Sequence, residues 1–306
     1  MWAMVAKEIR QVRRDRRTLA MMIVMPVMLL IVFGYAASFD VSAIDVAAVG
    51  TLPPGVEQRL PAVFEVVDTA SSDPAEILRR NEADVVLAGE GGSLTAYIDG
   101  SELFTARAAV QAFTAAAQQG MPVQTDVLFN PGLDTSAVLV PGLAGLILIF
   151  IGSLITSLGV VRERQTGTFE QLAVMPLGPG DVFVGKIAPY FAVATIDLAL
   201  VLTIGAFLFD VPFVGSIWLL ALGSLLFLFV TLGVGVLIST VSENQGQAIQ
   251  LAIMTLLPQV LLSGIIFPLE SMAPGVRWIG YLLPLTYFNQ IARGVMLKDA
   301  PFSSLL

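Results

Sequence analysis

The chain has 306 residues, of which 56% are hydrophobic and 13% are charged, and its formal net charge is −8. Soluble domains carry about 25% charged residues, so this composition indicates a membrane protein. The sequence contains no Cys and no His, which excludes disulfides, thiolate and imidazole catalysis, and most zinc sites.

The N-terminal segment 1–17 is basic and amphipathic. It carries six Lys and Arg residues, and apolar side chains recur opposite them at helical spacing. This pattern predicts a helix on the inner leaflet, with the N-terminus in the cytoplasm. The uncharged run 18–39 is the first predicted transmembrane span. It is longer than the 7–15 apolar residues of a signal peptide, so a retained span is favoured over cleavage.

Residues 40–135 form a predicted extracytoplasmic α/β domain between spans one and two. The segment holds fourteen acidic and four basic residues, a balance that places it outside the cytoplasm. Strands alternate with helices, which is typical of an α/β sandwich. The scattered carboxylates predict a solvated surface rather than a metal site. The predicted strands are 45–50, 63–67, 84–89 and 94–99, and the predicted helices are 73–81 and 103–119.

Residues 136–306 form a predicted transmembrane domain. Uncharged or nearly uncharged runs long enough to cross a bilayer give, with 18–39, five predicted spans in an α-helical polytopic membrane protein. The run 278–292 is short and contains Gly280 and Pro284, so it predicts an interfacial or re-entrant segment. The four predicted spans of this domain are 136–161, 187–209, 211–242 and 244–269.

Residues 180–186, GDVFVGK, fit the opening of a P-loop. The next residue is Ile187, so the hydroxyl that would bind magnesium is missing. A P-loop also follows a strand, whereas this segment opens a predicted span. Lys186 is better interpreted as a positive anchor at the inner face.

Asp197 is the one ionisable residue inside a predicted span. Placing a carboxylate there costs several kcal/mol unless it is paired, neutral or hydrated. Two kinds of interpretation stay open. Asp197 is either a translocation-path or proton-linked carboxylate, or it has a structural role, in which it forms a hydrogen bond with a neighbouring helix or lies nearer an interface because the span is offset.

The segment 160–177, VVRERQTGTFEQLAVMPL, interrupts the apolar runs. From about residue 167 it predicts a short amphipathic helix, with Thr166 or Thr168 as its cap and Glu170 at its positive end. Phe169 and Leu172 lie on its apolar side. An ordered helix of this kind at the inner surface predicts docking to a protein rather than an ordinary loop.

The motif RERQTGTFEQLAVMPL resembles the cytoplasmic coupling helix of type-2 ATP-binding-cassette exporter permeases. Five further segments resemble the subgroup with a large extracytoplasmic domain and occur in the same order along the chain. They are the basic N-terminus, DVVLAG followed by YIDGSE, FNPGLDTSAVLVPG, LSGIIFPLESMAP and YLLPLTYFNQIARGVMLK. The resemblance implies a coupling helix at 162–177 and an outer re-entrant region at 264–298. It implies ATPase-coupling roles for Glu163, Gly167, Thr168, Phe169, Glu170 and Leu172.

The resemblance also implies a division of labour. A separate ABC ATPase subunit would bind ATP and magnesium, and this chain would hold no cofactor or metal and would not be an enzyme. A second permease copy or a paralogue would complete the pathway in a bacterial-type inner membrane, among lipids, for an unidentified exported substrate; no nucleic acid is expected. The family carries a sixth span after the segment that ends near Lys298, so the chain is predicted to be truncated.

Two other functions stay open at this point. An ion-driven secondary transporter would use Asp197 as its working carboxylate, although such folds commonly show internal repeats. A membrane-anchored sensor would bind a ligand with the extracytoplasmic domain. A sensor would not need an ordered docking helix at the inner surface, and Asp197 is the only clear support for a secondary transporter.

Overall fold

The computed structural model describes residues 43–69, 71–90, 93–166 and 179–304, and within them it leaves aside the side chains of residues 57, 58, 90, 179–187 and 270. The predicted helix at 1–17 and the predicted span at 18–39 lie outside the described residues. The described part consists of an α/β domain and a set of long apolar helices that follow it.

The α/β domain contains a five-stranded sheet. Its order is β2-β1-β3-β4-β5. β1 runs parallel to β2 and β3, β3 is antiparallel to β4, and β4 is parallel to β5. The strands are β1 Ile44–Gly50, β2 Phe64–Val67, β3 Val85–Glu90, β4 Ser93–Asp99 and β5 Val123–Leu128, and the helices are α1 Val56–Arg59, α2 Pro74–Arg79 and α3 Leu103–Gln118.

Helices cover both faces of this sheet. Phe113 of α3 is buried on one face and stacks on Phe64, with ring centroids 4.6 Å apart. Ile77 and Leu78 of α2 are buried on the other face. The central strand β3 buries consecutive side chains, as expected for a strand covered on both sides. Burial of a side chain such as Phe113 contributes about 1.5–3 kcal/mol.

Four of the five strands lie where the sequence predicts strands. Helix α2 begins as predicted, because the carboxylate of Asp73 accepts a hydrogen bond from the backbone N–H of Ala75 at 3.0 Å. The prediction missed β5. Its residues Gln124, Thr125 and Asp126 are polar and exposed, so the strand has no apolar pattern, and it is held at the sheet edge by backbone pairing with β4.

A closed turn joins β5 to the first long helix. The side chain of Asn130 donates to the carbonyls of Gly100 and Asp134, both at 3.2 Å, and accepts from the N–H of Asp134 at 3.0 Å. Arg107 of α3 donates to the Leu133 carbonyl at 3.2 Å. The domain therefore passes into the helix through a turn fixed by side-chain hydrogen bonds.

Three of the helices in the described part are long and apolar enough to cross a membrane. They lie in α4, α5 and α6, and they match the predicted spans 136–161, 187–209 and 211–242. The prediction placed their apolar centres correctly, but α4 extends further at its C-terminal end and α5 at its N-terminal end. The helices of this region are α4 Thr135–Gln165, α5 Pro179–Leu208, α6 Ile217–Val241, α7 Gln245–Leu262, α8 Pro274–Gly280 and α9 Pro284–Arg293.

Small residues let α4 approach its neighbours. A Cβ atom on Gly145 would lie 2.4 Å from the Phe288 ring, which itself stacks on Phe227 with centroids 4.5 Å apart. A Cβ atom on Gly152 would lie 3.0 Å from Thr231 of α6. Close helix packing through small residues is characteristic of membrane helix bundles, and it places α4 at the centre of this one.

Helix α7 differs from the predicted span 244–269. It ends at Leu262, and it is not among the three apolar helices found in the described residues. Glutamines in its first two turns lower its hydropathy. The left-handed backbone of Gly264, at φ +81°, turns the chain just after its end, a conformation that glycine adopts without a steric cost.

The chain is broken where the sequence predicts a break. α8 ends at Gly280 and α9 begins at Pro284. With 7 and 10 residues these helices are too short to span a bilayer, which takes about 20. A π-helical turn at Gly294–Lys298 follows. The location of this region at the outer surface stays a prediction.

The contact of α6 with α4 provides a stability test. A Cβ atom on Gly235 would lie 2.8 Å from the Ser153 carbonyl oxygen, so Gly235→Ala must force the helices apart. We expect it to lower the free energy of unfolding by about 1–3 kcal/mol, measured by denaturation in mixed micelles. Gly233 has nothing within 4 Å of its Cβ position, so Gly233→Ala is the control, and an equal loss from both changes would contradict the packing argument.

Candidate functional site

The sequence predicts a docking segment at residues 160–177. The structure describes its first part, which is the charged C-terminal end of α4. Arg162 and Arg164 lie in its last turn, where positive charge interacts favourably with the helix dipole. The hydroxyl of Thr166 donates to the carbonyls of Arg162 at 3.1 Å and Glu163 at 3.2 Å. Thr166 thus closes the end of α4, and the helix that it was predicted to cap lies outside the described residues.

The turn between α6 and α7 is built by reciprocal capping. Asn244 accepts a hydrogen bond from the N–H of Gln247 at 2.9 Å, and the Gln247 side chain accepts from the N–H of Glu243 at 2.9 Å. The arrangement resembles a capping box, except that the Gln247 side chain accepts from Glu243, the residue before the N-cap Asn244. It was not predicted, although Asn followed three residues later by Gln is a recognisable signal.

The end of α4 and the start of α7 are in direct contact. The side-chain amide of Gln245 donates to the Gln165 oxygen at 3.1 Å. One turn earlier, Val161 is buried against Ile238 of α6 and Ala248 of α7. A displacement of the last turn of α4 would therefore reach α6 and α7 directly. No local sequence pattern reports this contact, because 80 residues separate the two glutamines.

The structure places two of the predicted site residues. Glu163 is half-buried in the last turn of α4, and Asp197 is half-buried within α5, so the two lie on different helices. The Asp197 side chain forms no hydrogen bond or ion pair with the residues described by the structure. The remaining predicted coupling residues lie outside the described residues: Gly167, Thr168, Phe169, Glu170 and Leu172.

An apolar cavity of about 420 Å³ lies between α5 and α6. Its wall includes Leu202, Phe207 and Leu220, and Asp197 is not among its lining residues. Three hydroxyls also line it. Thr195 and Thr203 donate to carbonyls of their own helix at 2.8 and 2.6 Å, whereas the buried Ser224 hydroxyl has no partner among the described residues. The cavity can hold an apolar group with few hydrogen-bonding atoms.

Two features of the described residues bear on metal and nucleotide binding. No group of three or more acidic residues is arranged there to hold a metal ion. The P-loop-like residues 180–186 lie inside α5, whereas a phosphate cradle is a loop that precedes a helix.

One correction concerns the acidic residues of the α/β domain. Asp99 is 4% exposed and pairs with Lys298, which is 3% exposed, so it is not part of a solvated surface. Arg293 pairs with Glu102 at 3.1 Å. These contacts join the α/β domain to the last residue of α9 and to the turn that follows it, and they were not predicted, because the cations lie nearly 200 residues further along the chain.

The known proteins that the chain resembles are membrane transporter proteins of one family. The family described as "ABC-2 family transporter protein" matches residues 16–306. The chain is 31% identical to "Probable multidrug ABC transporter permease YbhS" of Escherichia coli K12, over 96% of this chain and 88% of the relative. It is 28% identical to "Probable multidrug ABC transporter permease YbhR" of the same organism, over 98% and 90%.

More distant similarity reaches a eukaryotic protein. Over 58% of this chain and 25% of the relative, the sequence is 29% identical to "ABC transporter G family member 20" of Dictyostelium discoideum. No solved structure matches the chain.

Proposed function

Because the chain belongs to the ABC-2 family of transporter proteins and is a membrane-embedded ABC permease, we propose that it exports a substrate using ATP hydrolysed by a separate subunit. The family match over residues 16–306 carries this proposal. The relatives that the chain covers nearly end to end are named permeases, which supports a subunit that relies on a partner ATPase.

The coupling path begins at the end of α4. We place the ATPase contact at residues 162–177, where Glu163 and Glu170 would make polar contacts and Phe169 and Leu172 would enter the ATPase surface, with Gly167 and Thr168 forming the turn. ATP-driven closure of the partner would displace the last turn of α4. The Gln165–Gln245 hydrogen bond and the packing of Val161 would pass this motion to α6 and α7.

The proposed orientation follows from charge. The N-terminal segment is rich in Lys and Arg, and the segment 40–135 is rich in acidic residues. With the N-terminus in the cytoplasm of a bacterial-type inner membrane, the α/β domain lies outside and the end of α4 lies inside. A second permease copy or a paralogue would form the other half of the pathway, and the two ATPase subunits would bind ATP and magnesium.

The apolar cavity between α5 and α6 supports an amphiphilic organic substrate. Its wall is apolar with a few hydroxyls, which suits the carbon skeleton of a drug or a lipid chain. Two relatives carry "multidrug" in their names. Asp197 is half-buried on α5, the helix that also forms one wall of the cavity. In this proposal Asp197 would lie beside the substrate path and not in the cavity itself.

Co-purification tests the proposal. The affinity-tagged chain, expressed in its own host and extracted in mild detergent, should bring down a Walker-motif ATPase. In vesicles, the complex should transport a fluorescent amphiphile on addition of magnesium and ATP, and chelating magnesium should stop it.

Two experimental results would favour a different function. Transport that needs an ion gradient, proceeds without ATP and disappears in Asp197→Asn would favour a secondary transporter. A chain that binds no ATPase and moves no substrate, while its α/β domain binds a ligand, would favour a sensor.

A further inference from the structure

The apolar cavity between α5 and α6 is open to the surface of the helix bundle. Leu198, Leu220 and Ser224 form a buried floor. Phe207 and Ile217 also line the cavity, and they are 84% and 64% exposed. The medium around exposed apolar side chains of a membrane-embedded helix is lipid, whose tails are as apolar as leucine. The cavity is therefore accessible from the bilayer.

The cavity lies beside one end of each of its two helices. On α5 the lining residues run from Thr195 to Phe207, next to the C-terminal end of the helix, and on α6 they run from the first residue, Ile217, to Leu225. In the orientation proposed above, both of these helix ends lie on the outer side of the membrane. A compound dissolved in the outer half of the bilayer then reaches the cavity sideways.

The floor of the cavity holds an unused hydrogen-bonding group. Ser224 is 2% exposed, and its hydroxyl has no partner in the part of the chain that the structure describes. The hydroxyls of Thr195 and Thr203, which also line the cavity, donate to carbonyls of α5. A buried hydroxyl without a partner is unfavourable, and the bilayer core contains no water to pair with it. Because a serine hydroxyl both donates and accepts, a ligand hydroxyl or amide group would satisfy it.

The wall of the cavity carries no charge that could pair with a charged ligand. Among the described residues that line it there is no Asp, Glu, Lys or Arg, and Asp197, although next to Leu198 in the chain, is not one of them. Burying an ionised group without a counter-ion costs far more than burying a neutral polar group that finds a hydrogen bond. The cavity therefore favours an uncharged ligand.

We propose that this cavity binds uncharged amphiphiles that exchange with the outer half of the bilayer. The alkyl chain of the ligand packs on the apolar wall, and a hydroxyl or amide group forms a hydrogen bond with Ser224. The volume of about 420 Å³ lies within the roughly 300–1,000 Å³ of ligand sites. The inference rests on the proposed function, in which this cavity holds the exported substrate, and it narrows the substrate class to neutral compounds.

Photo-crosslinking of the full chain in lipid nanodiscs tests the proposal, without ATP and without the ATPase. The probe is 1-dodecanol with a diazirine in its chain, and mass spectrometry identifies the labelled residues. We expect saturable labelling of the cavity wall, suppressed by unlabelled 1-dodecanol. Dodecyltrimethylammonium and dodecanesulfonate, kept below their micellar concentrations, should compete at least about tenfold less well, because their charges find no partner in the wall.

Ser224→Ala tests the hydrogen bond to the ligand. It should weaken competition by 1-dodecanol about five- to tenfold and leave the weaker competition by dodecane unchanged. Thr203→Val is the matched control, because it removes a hydroxyl of the same wall that already donates to the Ala199 carbonyl at 2.6 Å. This variant should bind 1-dodecanol like the unaltered chain.

The proposal is overturned if labelling does not saturate or lies outside the cavity wall. It is also overturned if the charged amphiphiles compete as well as 1-dodecanol, or if Ser224→Ala weakens binding no more than Thr203→Val. These outcomes are separate from a failure of the proposed function. Saturable labelling that depends on Ser224, in a chain that binds no ATPase, would contradict ATP-driven export and leave the assignment of the binding site standing.

Discussion

Lys298→Ala should lower the free energy of unfolding by about 3–5 kcal/mol, the cost of breaking a buried ion pair by removing one partner. Lys298 and Asp99 are 3% and 4% exposed. Alanine would leave the Asp99 carboxylate buried opposite no cation and would remove the donor to Asn81 and to the Leu78 carbonyl. Urea denaturation of the full chain in micelles, followed by tryptophan fluorescence, measures the change.

An exposed cation in the same region is the control. Arg80 pairs with Glu76 at 2.6 Å, but its side chain is 49% exposed, and exposed pairs contribute about 0–1 kcal/mol. Arg80→Ala should therefore cost far less than Lys298→Ala. The double change Lys298→Met with Asp99→Asn should recover part of the loss, since it leaves no unpaired charge and keeps an acceptor for the buried Ser101 donors. Equal costs for the two single changes would refute the assignment of a buried pair.

Phe169→Ala and Glu170→Lys should each weaken binding of the partner ATPase by about 30-fold or more. Truncating a central aromatic residue of an interface costs about 2 kcal/mol or more, and a reversed charge adds repulsion wherever the native carboxylate meets a polar or basic surface. ATP-driven transport should fall with the binding. Titration of the purified ATPase onto the chain in nanodiscs, with transport in vesicles, measures both effects.

Glu65→Lys is the matched control for the charge reversal. Glu65 is exposed on β2 in the α/β domain, which we place on the opposite side of the membrane. The control should leave ATPase binding unchanged. If Phe169→Ala and Glu170→Lys also bind the ATPase normally and support transport, residues 162–177 do not form the coupling contact.

Local patterns in the sequence account for most of the described elements. The strands β1 to β4 and the cap of α2 follow from apolar runs and from Asp73, because these signals lie within a few residues of each other. Hydropathy located α4 and α5, but not the C-terminal end of α4 or the N-terminal end of α5. A helix continues through charged residues such as Arg162 and Arg164 as long as its backbone hydrogen bonds continue.

Long-range contacts account for what the sequence did not reveal. Lys298 and Asp99 are far apart in the chain, and nothing near either residue marks it as buried. The same holds for Gln165 and Gln245, whose hydrogen bond fixes the geometry of the candidate site. The edge strand β5 was missed for a related reason, since its backbone partner β4 determines its conformation and its own side chains do not.

The closed turn at Asn130 also determines how a movement of α4 would reach the α/β domain. It joins the α/β domain to α4 without a loose hinge, and the 31 residues of α4 extend for about 46 Å at 1.5 Å per residue. In the coupling path proposed above, α4 would act as a lever arm that carries a small displacement at its C-terminal end to the α/β domain at its other end. A tilt of about 5° moves the far end of such an arm by about 4 Å, so under this proposal the α/β domain would move with each transport cycle.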